Sequence, residues 1–328
     1  MIEVVSCGPL VTVQDDGRPG HLSLGLSRGG AADARARAEA AALVRGEAIG
    51  AGIETPGSPL ALRLHVDALV VLTGAPMRAS KGGAPLAWGA AHPLTAGDVL
   101  DLRPAGQGVY SYVHVPGGFG TETLLGSRAA HLAVGIGAPL AAGDRLPCAA
   151  SAGPARRLTV APDRFAGGTL RLVPTPQTRL FLHEVLARFE ATTFTRDPRG
   201  NRQGVRLATE GQGFATGGQL TLLSDFVLPG DVQMTGDGVP YILGPECQTT
   251  GGYPRIGTVI EADLPRALQA APGAPLRFRF VTVEEARAAM PPPPATEPLV
   301  RAPGEVPGLL GMQLVGGVVS ARGGEEEP

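Results

Sequence analysis

Residues 230–264 read GDVQMTGDGVPYILGPECQTTGGYPRIGTVIEADL, and this stretch sets the character of the whole chain. Within it, QTTGGYPRIG (248–257) is a strand end, a Gly-Gly turn and an exposed-loop aromatic, leading into a new strand. Gly251 and Gly252 let the backbone approach a ligand closely or take a positive φ. Thr249 and Thr250 offer hydroxyls beside Gln248. Tyr253 offers a phenol, and Arg255 a fixed cation suited to carboxylate or phosphate. The same residues also read as a tight hairpin whose tyrosine packs on a barrel. Just downstream, TVIEADLPRAL (258–268) runs from a strand into a helix that Asp263 is placed to cap.

Outward from this stretch the pattern is strands and turns. Glycine (48) and proline (31) make up about a quarter of the 328 residues, and they lie between β-branched apolar runs, so a turn-rich β protein fits better than disorder. LVVLTGA (69–75) is a buried-strand run and GVYSYVHV (108–115) an alternating one. Gly-Asp turns entering strands recur at PLTAGDVLDL (93–102), AAGDRL (141–146) and LPGDVQM (228–234), in both halves of the chain. AADARARAEAAALVR (31–45) is the best helix, with Asp33 in its first turn and Gly46 as a stop. LFLHEVLARF (180–189) is another, and Thr282 with Glu285 is a capping box for a helix beyond the one that follows Asp263. The Ala/Pro/Gly-rich 147–168 reads as a linker, and the prolines at 291–294 as a stiff spacer. The length predicts two domains, 1–165 and 166–290, followed by a spacer and tail over 291–328 whose apolar 309–321 returns as a strand.

Composition excludes several functions. The net charge of −2 argues against a broadly basic nucleic-acid surface. No apolar run reaches the roughly 18 residues of a membrane span, and the N-terminus has no signal-peptide pattern. Cys7, Cys148 and Cys247 are far apart and odd in number, so neither a disulfide framework nor a zinc motif is expected, and a cytoplasmic protein is the default. There is no phosphate loop around Lys81, no HExxH, no GxSxG and no convincing dinucleotide fingerprint. No lysine sits in a biotin-attachment motif, so if biotin matters here it must arrive on a partner.

QTTGGYP with the following Ile-Gly resembles the most distinctive motif of the allophanate hydrolase subunit 2 family. This family is also described as biotin-dependent carboxyltransferase-like, and it includes the C subunits of bacterial 5-oxoprolinases. The resemblance covers nearly the whole chain. VQDDGRPG (13–20) is similar to the family's VQDxGRxG, and Gly30-Ala31-Ala32-Asp33 to its GAMD helix start. Glu54 with Gly57 and Pro59 resembles its Glu-x-x-x-x-GP segment, and Thr73-Gly74-Ala75 its TGA turn. Gly126-Ser127-Arg128 matches its GSRS, with Ala129 in place of the second serine. Residues 201–207, NRQGVRL, are similar to its SDRMGYRL, with departures at Asn201, Gln203 and Val205. Ser224-Asp225 and Gly238-x-Pro240 fall where the family has them, and Glu246 stands where it usually has Asp.

The resemblance implies a mainly β fold with a few short helices, built as two cyclophilin-like β-barrel domains. It implies a subunit of an ATP-dependent 5-oxoprolinase, which opens 5-oxo-L-proline to L-glutamate in a heteromeric complex. The partners are then a subunit-1 or subunit-B-like protein and a subunit-A lactam-hydrolase-like protein, with ATP and Mg2+ as cofactors. Phosphorylating the lactam oxygen would create a leaving group on an otherwise poor electrophile. On this reading Arg202, Arg206 and Arg255 are anion clamps, and Tyr253, Thr249 and Thr250 orient the amide. Asp237 and Glu246 are carboxylates for acid/base work, although Asp237-Gly238 is also good turn chemistry. Gln14, Asp15 and Arg18 face the second domain across a cleft, or Asp15 simply caps a turn. Two other functions stay open: a carboxyltransferase component acting on a urea- or amide-like substrate, and a non-catalytic partner of a kinase-inhibitor-like subunit 1.

Overall fold

A computed structural model describes residues 1–46, 48–214, 216 and 222–300. The expected returning strand at 309–321 lies outside the described residues.

The first unit distributes its strands over two antiparallel sheets. A six-stranded sheet runs in the order Arg145–Leu146, Ile2–Cys7, Leu60–Leu64, Val99–Pro104, Met77–Lys81, Ala84–Leu86. A seven-stranded sheet runs Thr12–Gln14, Gly52–Thr55, Ser111–His114, Ala68–Gly74, Ala90–Leu94, Arg156–Leu158, Thr296–Pro298. The two sheets share one core, to which Ile2, Val4, Leu62 and Leu100 contribute from the first and Ile53, Val70, Leu72 and Val113 from the second. Every residue of Ala68–Gly74 is buried because this strand is covered on both sides. Val70 and Leu72 face the shared core, while Leu69 and Val71 pack under a helix. That helix, α1 (Ala34–Leu43), is capped by Asp33, whose Oδ1 accepts from the Ala36 N–H at 3.0 Å. Its alanines bring it close to the sheet, with Ala40 and Leu43 against Leu69 and Val71.

The second unit is a closed barrel of seven strands. Around it run Gly168–Val173, Arg255–Val259, Asp231–Met234, Pro240–Leu243, Gly204–Ala208, Phe194–Arg196 and Pro275–Phe280, and the last pairs in parallel with the first. Helix α2 (His183–Ala191) inserts Phe189 among Phe194, Phe214 and Phe278, with ring centroids 4.7–5.3 Å away. Helices α3 (Leu264–Gln269) and α4 (Val283–Ala288) follow, and Thr282 and Glu285 form the expected capping box on α4. Asp263 stands at the N-cap of α3 without capping it. Both its oxygens are taken by Arg171, whose Nε and Nη2 approach to 2.8 and 2.6 Å.

The two units are joined by a continuous interior. Tyr110, Tyr112, Ala32 and Ala36 of the first unit belong to the barrel's apolar cluster. The segment read as a linker is part of the structure. It supplies Arg156–Leu158 to the seven-stranded sheet, and a buried Arg164 that holds Asp33 (2.7 Å) and Glu39 (2.7 and 2.9 Å). Beyond the proline run, Thr296–Pro298 returns to pair with Arg156–Leu158.

Candidate functional site

Motifs far apart in sequence meet at the seam between the two units. In VQDDGRPG, Asp15 ties its own turn to the GSRAA segment: it accepts from the Gly17 N–H (2.8 Å), the Ser127 hydroxyl (2.6 Å) and the Arg128 N–H (2.6 Å). Asp15 is therefore a turn-fixing carboxylate. Gln14 is buried, and its Nε2 donates to Thr12 Oγ1 and the Ala130 carbonyl, which leaves Oε1 without a partner. Arg18 is 1% exposed, donates through Nη2 to the Ala129 carbonyl at 2.5 Å, and leaves Nη1 without a partner. Gly29, at φ +63°, lies between Arg18 and His131: a side chain there would stand 3.6 Å from Arg18 Nη1 and 3.2 Å from His131 Cδ2. His131 is hydrogen-bonded through Nε2 to Ser27 Oγ (2.8 Å), and its free Nδ1 lies 4.0 Å from Glu246 Oε2.

Arg202 closes the seam. It arrives on the turn before Gly204–Ala208 and donates to Glu246 Oε1 (2.6 Å), to Glu54 Oε1 and to the Gly30 carbonyl (2.5 Å). Glu54 Oε2 accepts from the Tyr112 hydroxyl (2.6 Å) and the Ala32 N–H (2.9 Å). Glu246 also accepts from the Ala133 N–H (3.3 Å). Burial opposes the charge on Arg202, but Glu54 and Glu246 outweigh it and hold the guanidinium firmly protonated. Burial, helped by Glu54, raises the Tyr112 phenol well above its usual range and Tyr110 to about 12. Burial lowers His131 against the pull of Glu246, and lowers Arg18 against Asp15 and Glu246. The seam thus holds an imidazole whose basicity burial lowers, a compensated carboxylate pair and three buried polar atoms without a hydrogen-bond partner.

The QTTGGYP loop forms a separate group on the barrel. Thr250–Gly251 pairs with Asp225–Phe226. Gly251 and Gly252 lie outside the positive-φ region. Gly251 instead serves close approach, since a Cβ would stand 2.7 Å from Gln233 Nε2. Gln248 Nε2 donates to Gln233 Oε1 at 2.9 Å, and the Thr249 carbonyl accepts from the Val227 N–H at 3.0 Å. Arg255 is consumed by its surroundings: Asp225, the Phe226 carbonyl (2.7 Å), Asp231 (3.3 Å) and Gln177 (3.4 Å). Tyr253 projects, half exposed. Arg206 pairs with Asp197 at 2.7 Å. Asp237 is an exposed turn residue held by Thr235, whose hydroxyl keeps its carboxyl below the usual range.

Of the residues singled out by sequence, the structure brings Gln14, Arg18, Arg202 and Glu246 into one seam. It places Gln248, Thr249, Thr250, Gly251, Gly252, Tyr253 and Arg255 in one loop, and Arg206 and Asp237 outside both. Sequence reasoning gave no site role to Ser27, Glu54, Tyr112 or His131. A signal existed for two of them: Glu54 sits inside a family-like segment, and the alternation of GVYSYVHV puts Tyr112 on one face with Tyr110 and His114, while nothing marked Ser27 or His131. Among the described residues, no group of three or more His, Cys, Asp or Glu side chains could hold a metal ion.

With the two-sheet unit, the closed barrel and the seam between them in view, the chain belongs to the family described as "Carboxyltransferase domain, subdomain A and B", matched over residues 24–280. In sequence it is similar to the C subunit of the 5-oxoprolinase of Escherichia coli (strain K12): 33% identity over 290 residues, covering 87% of this chain and 93% of that protein. It is also similar to a putative urea carboxylase of Emericella nidulans, at 28% identity over 308 residues, covering 87% of this chain but 24% of that larger protein. In structure it matches TTHA0988 with a TM-score of 0.74 and 30% identity, over 85% of this chain. The chain spans little more than half, 56%, of that polypeptide. No helix among the described residues is long and apolar enough to cross a membrane.

Proposed function

We propose that the chain is the C subunit of an ATP-dependent 5-oxoprolinase and that its seam binds 5-oxo-L-proline for ring opening to L-glutamate. The observation that supports this reading is the meeting of Gln14, Arg18, Glu54, Arg202 and Glu246 beside three unpartnered buried atoms. Buried polar atoms are normally hydrogen-bonded, so such a cluster calls for a ligand or ordered water. The cluster suits a lactam carrying a carboxylate. Gln14 Oε1 accepts the ring N–H, and Arg18 Nη1 takes the carboxylate. His131 Nδ1, close to Glu246, is placed to gain a proton when the anion arrives. Arg202 keeps Glu54 and Glu246 in place so that one carboxylate stays near the reacting amide.

The seam does not suit ATP itself. Arg202 is spent on two carboxylates and Arg18 has a single free nitrogen. On this reading the chain acts with a subunit-B-like and a subunit-A-like protein. Leu24, Leu124, Leu125 and Val134, all about half exposed or more, sit on the segments that carry Ser27, Arg18's carbonyl partners and His131, and they suit a partner surface. The similarity to a putative urea carboxylase favours a second reading, in which carboxybiotin on another chain donates to an amide.

The test is turnover by the chain co-purified with its subunit-B and subunit-A neighbours. Hydrolysis of ATP stimulated by 5-oxo-L-proline, with glutamate appearing, supports the first reading. An intact complex without stimulation, but with carboxylation of an amide from carboxybiotin, supports the second.

A further inference from the structure

A cleft of about 860 Å³ opens where α1, the 158–164 segment, the start of α3 and the proline run meet, and none of the seam residues lines it. One wall is apolar, formed by Leu158, Val160, Met290 and Pro291–Pro294. The cleft shares Arg171, Asp263 and Arg266 with an adjoining depression of about 530 Å³, which Thr169 and Arg279 complete. That depression presents three arginines and one aspartate.

The arginines are placed at a cost. Strands Gly168–Val173 and Pro275–Phe280 run in parallel with Arg171 in register with Arg279. Like charges directly opposed on neighbouring strands destabilise a sheet. Asp263 compensates Arg171 alone. The Arg279 guanidinium makes no hydrogen bond or close ion pair among the described residues, and the carboxylate it interacts with electrostatically is Glu285 of α4. Arg266 pairs with Asp163, whose side chain is 86% exposed. Arg266 also donates through Nη1 to the Gly167 carbonyl at 2.9 Å, which fixes its position, while the exposed pair with Asp163 is itself worth little. Once the exposed Asp163 is displaced, the three guanidiniums of the depression outnumber its one aspartate by two, with Glu261 and Glu285 as the neighbouring carboxylates, and forks from two strands and a helix suit a phosphoryl group better than a single carboxylate. The Thr169 hydroxyl adds a further donor.

We propose that this is a binding site for an organic phosphate. The phosphoryl group sits among Arg171, Arg266 and Arg279, and the body of the ligand lies along the proline wall. The inference concerns a different face from the seam and does not depend on the function proposed for it.

Calorimetric titration of the full chain with ATP, pyrophosphate and adenosine tests it. ATP is expected to saturate one site and to bind roughly tenfold or more tightly than pyrophosphate, because only ATP also fills the cleft, with adenosine the weakest. Arg279→Glu should weaken ATP by roughly tenfold or more. Arg287→Glu, an equal change of charge on an exposed part of α4, should leave binding unchanged, with thermal melts showing both variants folded. Absence of saturable ATP binding, or equal binding by Arg279→Glu, overturns the site. Pyrophosphate binding as tightly as ATP overturns the role of the cleft. Binding is read on the chain alone, so this result and the turnover of the complex can fail separately.

Discussion

Arg202 of the barrel is hydrogen-bonded to Glu54 of the first unit, although 148 residues separate them in sequence. The same guanidinium holds Glu246 at 2.6 Å, so one cation compensates two buried carboxylates from opposite sides of the seam. Removing one partner of such a group leaves uncompensated charge in a poorly solvated place. Arg202→Met is expected to cost about 3–5 kcal/mol, read as a lower midpoint in urea unfolding. A loss below about 1 kcal/mol would mean that water reaches both carboxylates in the folded state.

Acid should destabilise the protein before its carboxylates are protonated. His92, His114 and His131 are buried, and burial is the largest cause holding each below its ordinary value of 6.5, His114 down to about 3. Below pH 6.5 the unfolded chain takes up protons that the folded chain refuses. Stability is therefore full above pH 6.5 and falls as pH drops, with His114 contributing up to about 1.4 kcal/mol per pH unit down to about pH 3 and His92 and His131 acting in the same direction. His114→Phe, which keeps an aromatic ring stacked on Tyr112, should flatten this slope in melts between pH 7 and pH 4.5. An unchanged slope would show that His114 is hydrated in the folded state.

The paired glycines of the QTTGGYP loop should behave differently. A Cβ at Gly251 would stand 2.7 Å from Gln233 Nε2, whereas at Gly252 the nearest atom, the Leu222 carbonyl, is 3.5 Å away. Gly251→Ala should displace the Gln233–Gln248 pair and lower the melting temperature by a few degrees, and Gly252→Ala should be nearly neutral. Equal effects at the two positions would contradict this geometry.

Arg255 and Tyr253, neighbours in one motif, have different surroundings. Arg255→Ala unties Asp225, Phe226 and Asp231 and should make the 224–231 segment an early site of limited proteolysis. Tyr253→Phe removes a hydroxyl from a half-exposed ring and should leave stability unchanged within about 0.5 kcal/mol. A fall in turnover of the complex with Tyr253→Phe, at unchanged stability, would give the phenol a part in the reaction. Proteolysis of Arg255→Ala no faster than that of the parent would remove its tying role.

Local chemistry was legible in the sequence where a residue acts on its near neighbours. Asp33 caps α1, Thr282 and Glu285 form their box, the Gly-Asp turns enter strands, and VVLT lies in a fully buried strand. What joins distant segments was harder to read. Glu246 and Arg202 stood out through their motifs, yet nothing in their spacing announced that Glu54 and His131 complete the same cluster. Asp263 had the position of a cap, but Arg171, 92 residues away, claims both its oxygens. Arg255 looked like a free cation because its partners Asp225 and Asp231 are brought to it only by strand pairing. The 147–168 segment looked like a linker because its composition is that of a loop, while the burial of Arg164 depends on Asp33 and Glu39 of α1.

The most direct measurement is the rate of ATP-dependent conversion of 5-oxo-L-proline to glutamate by the purified complex, with the chain unaltered and with Gln14→Leu. Gln14 Oε1 is the acceptor assigned to the lactam N–H. Stimulated turnover by the unaltered complex, reduced roughly 100-fold in kcat/KM by Gln14→Leu at unchanged assembly, is the expected result. An intact complex that converts no 5-oxo-L-proline, or one that converts it equally well with Gln14→Leu, would contradict the seam as the substrate site.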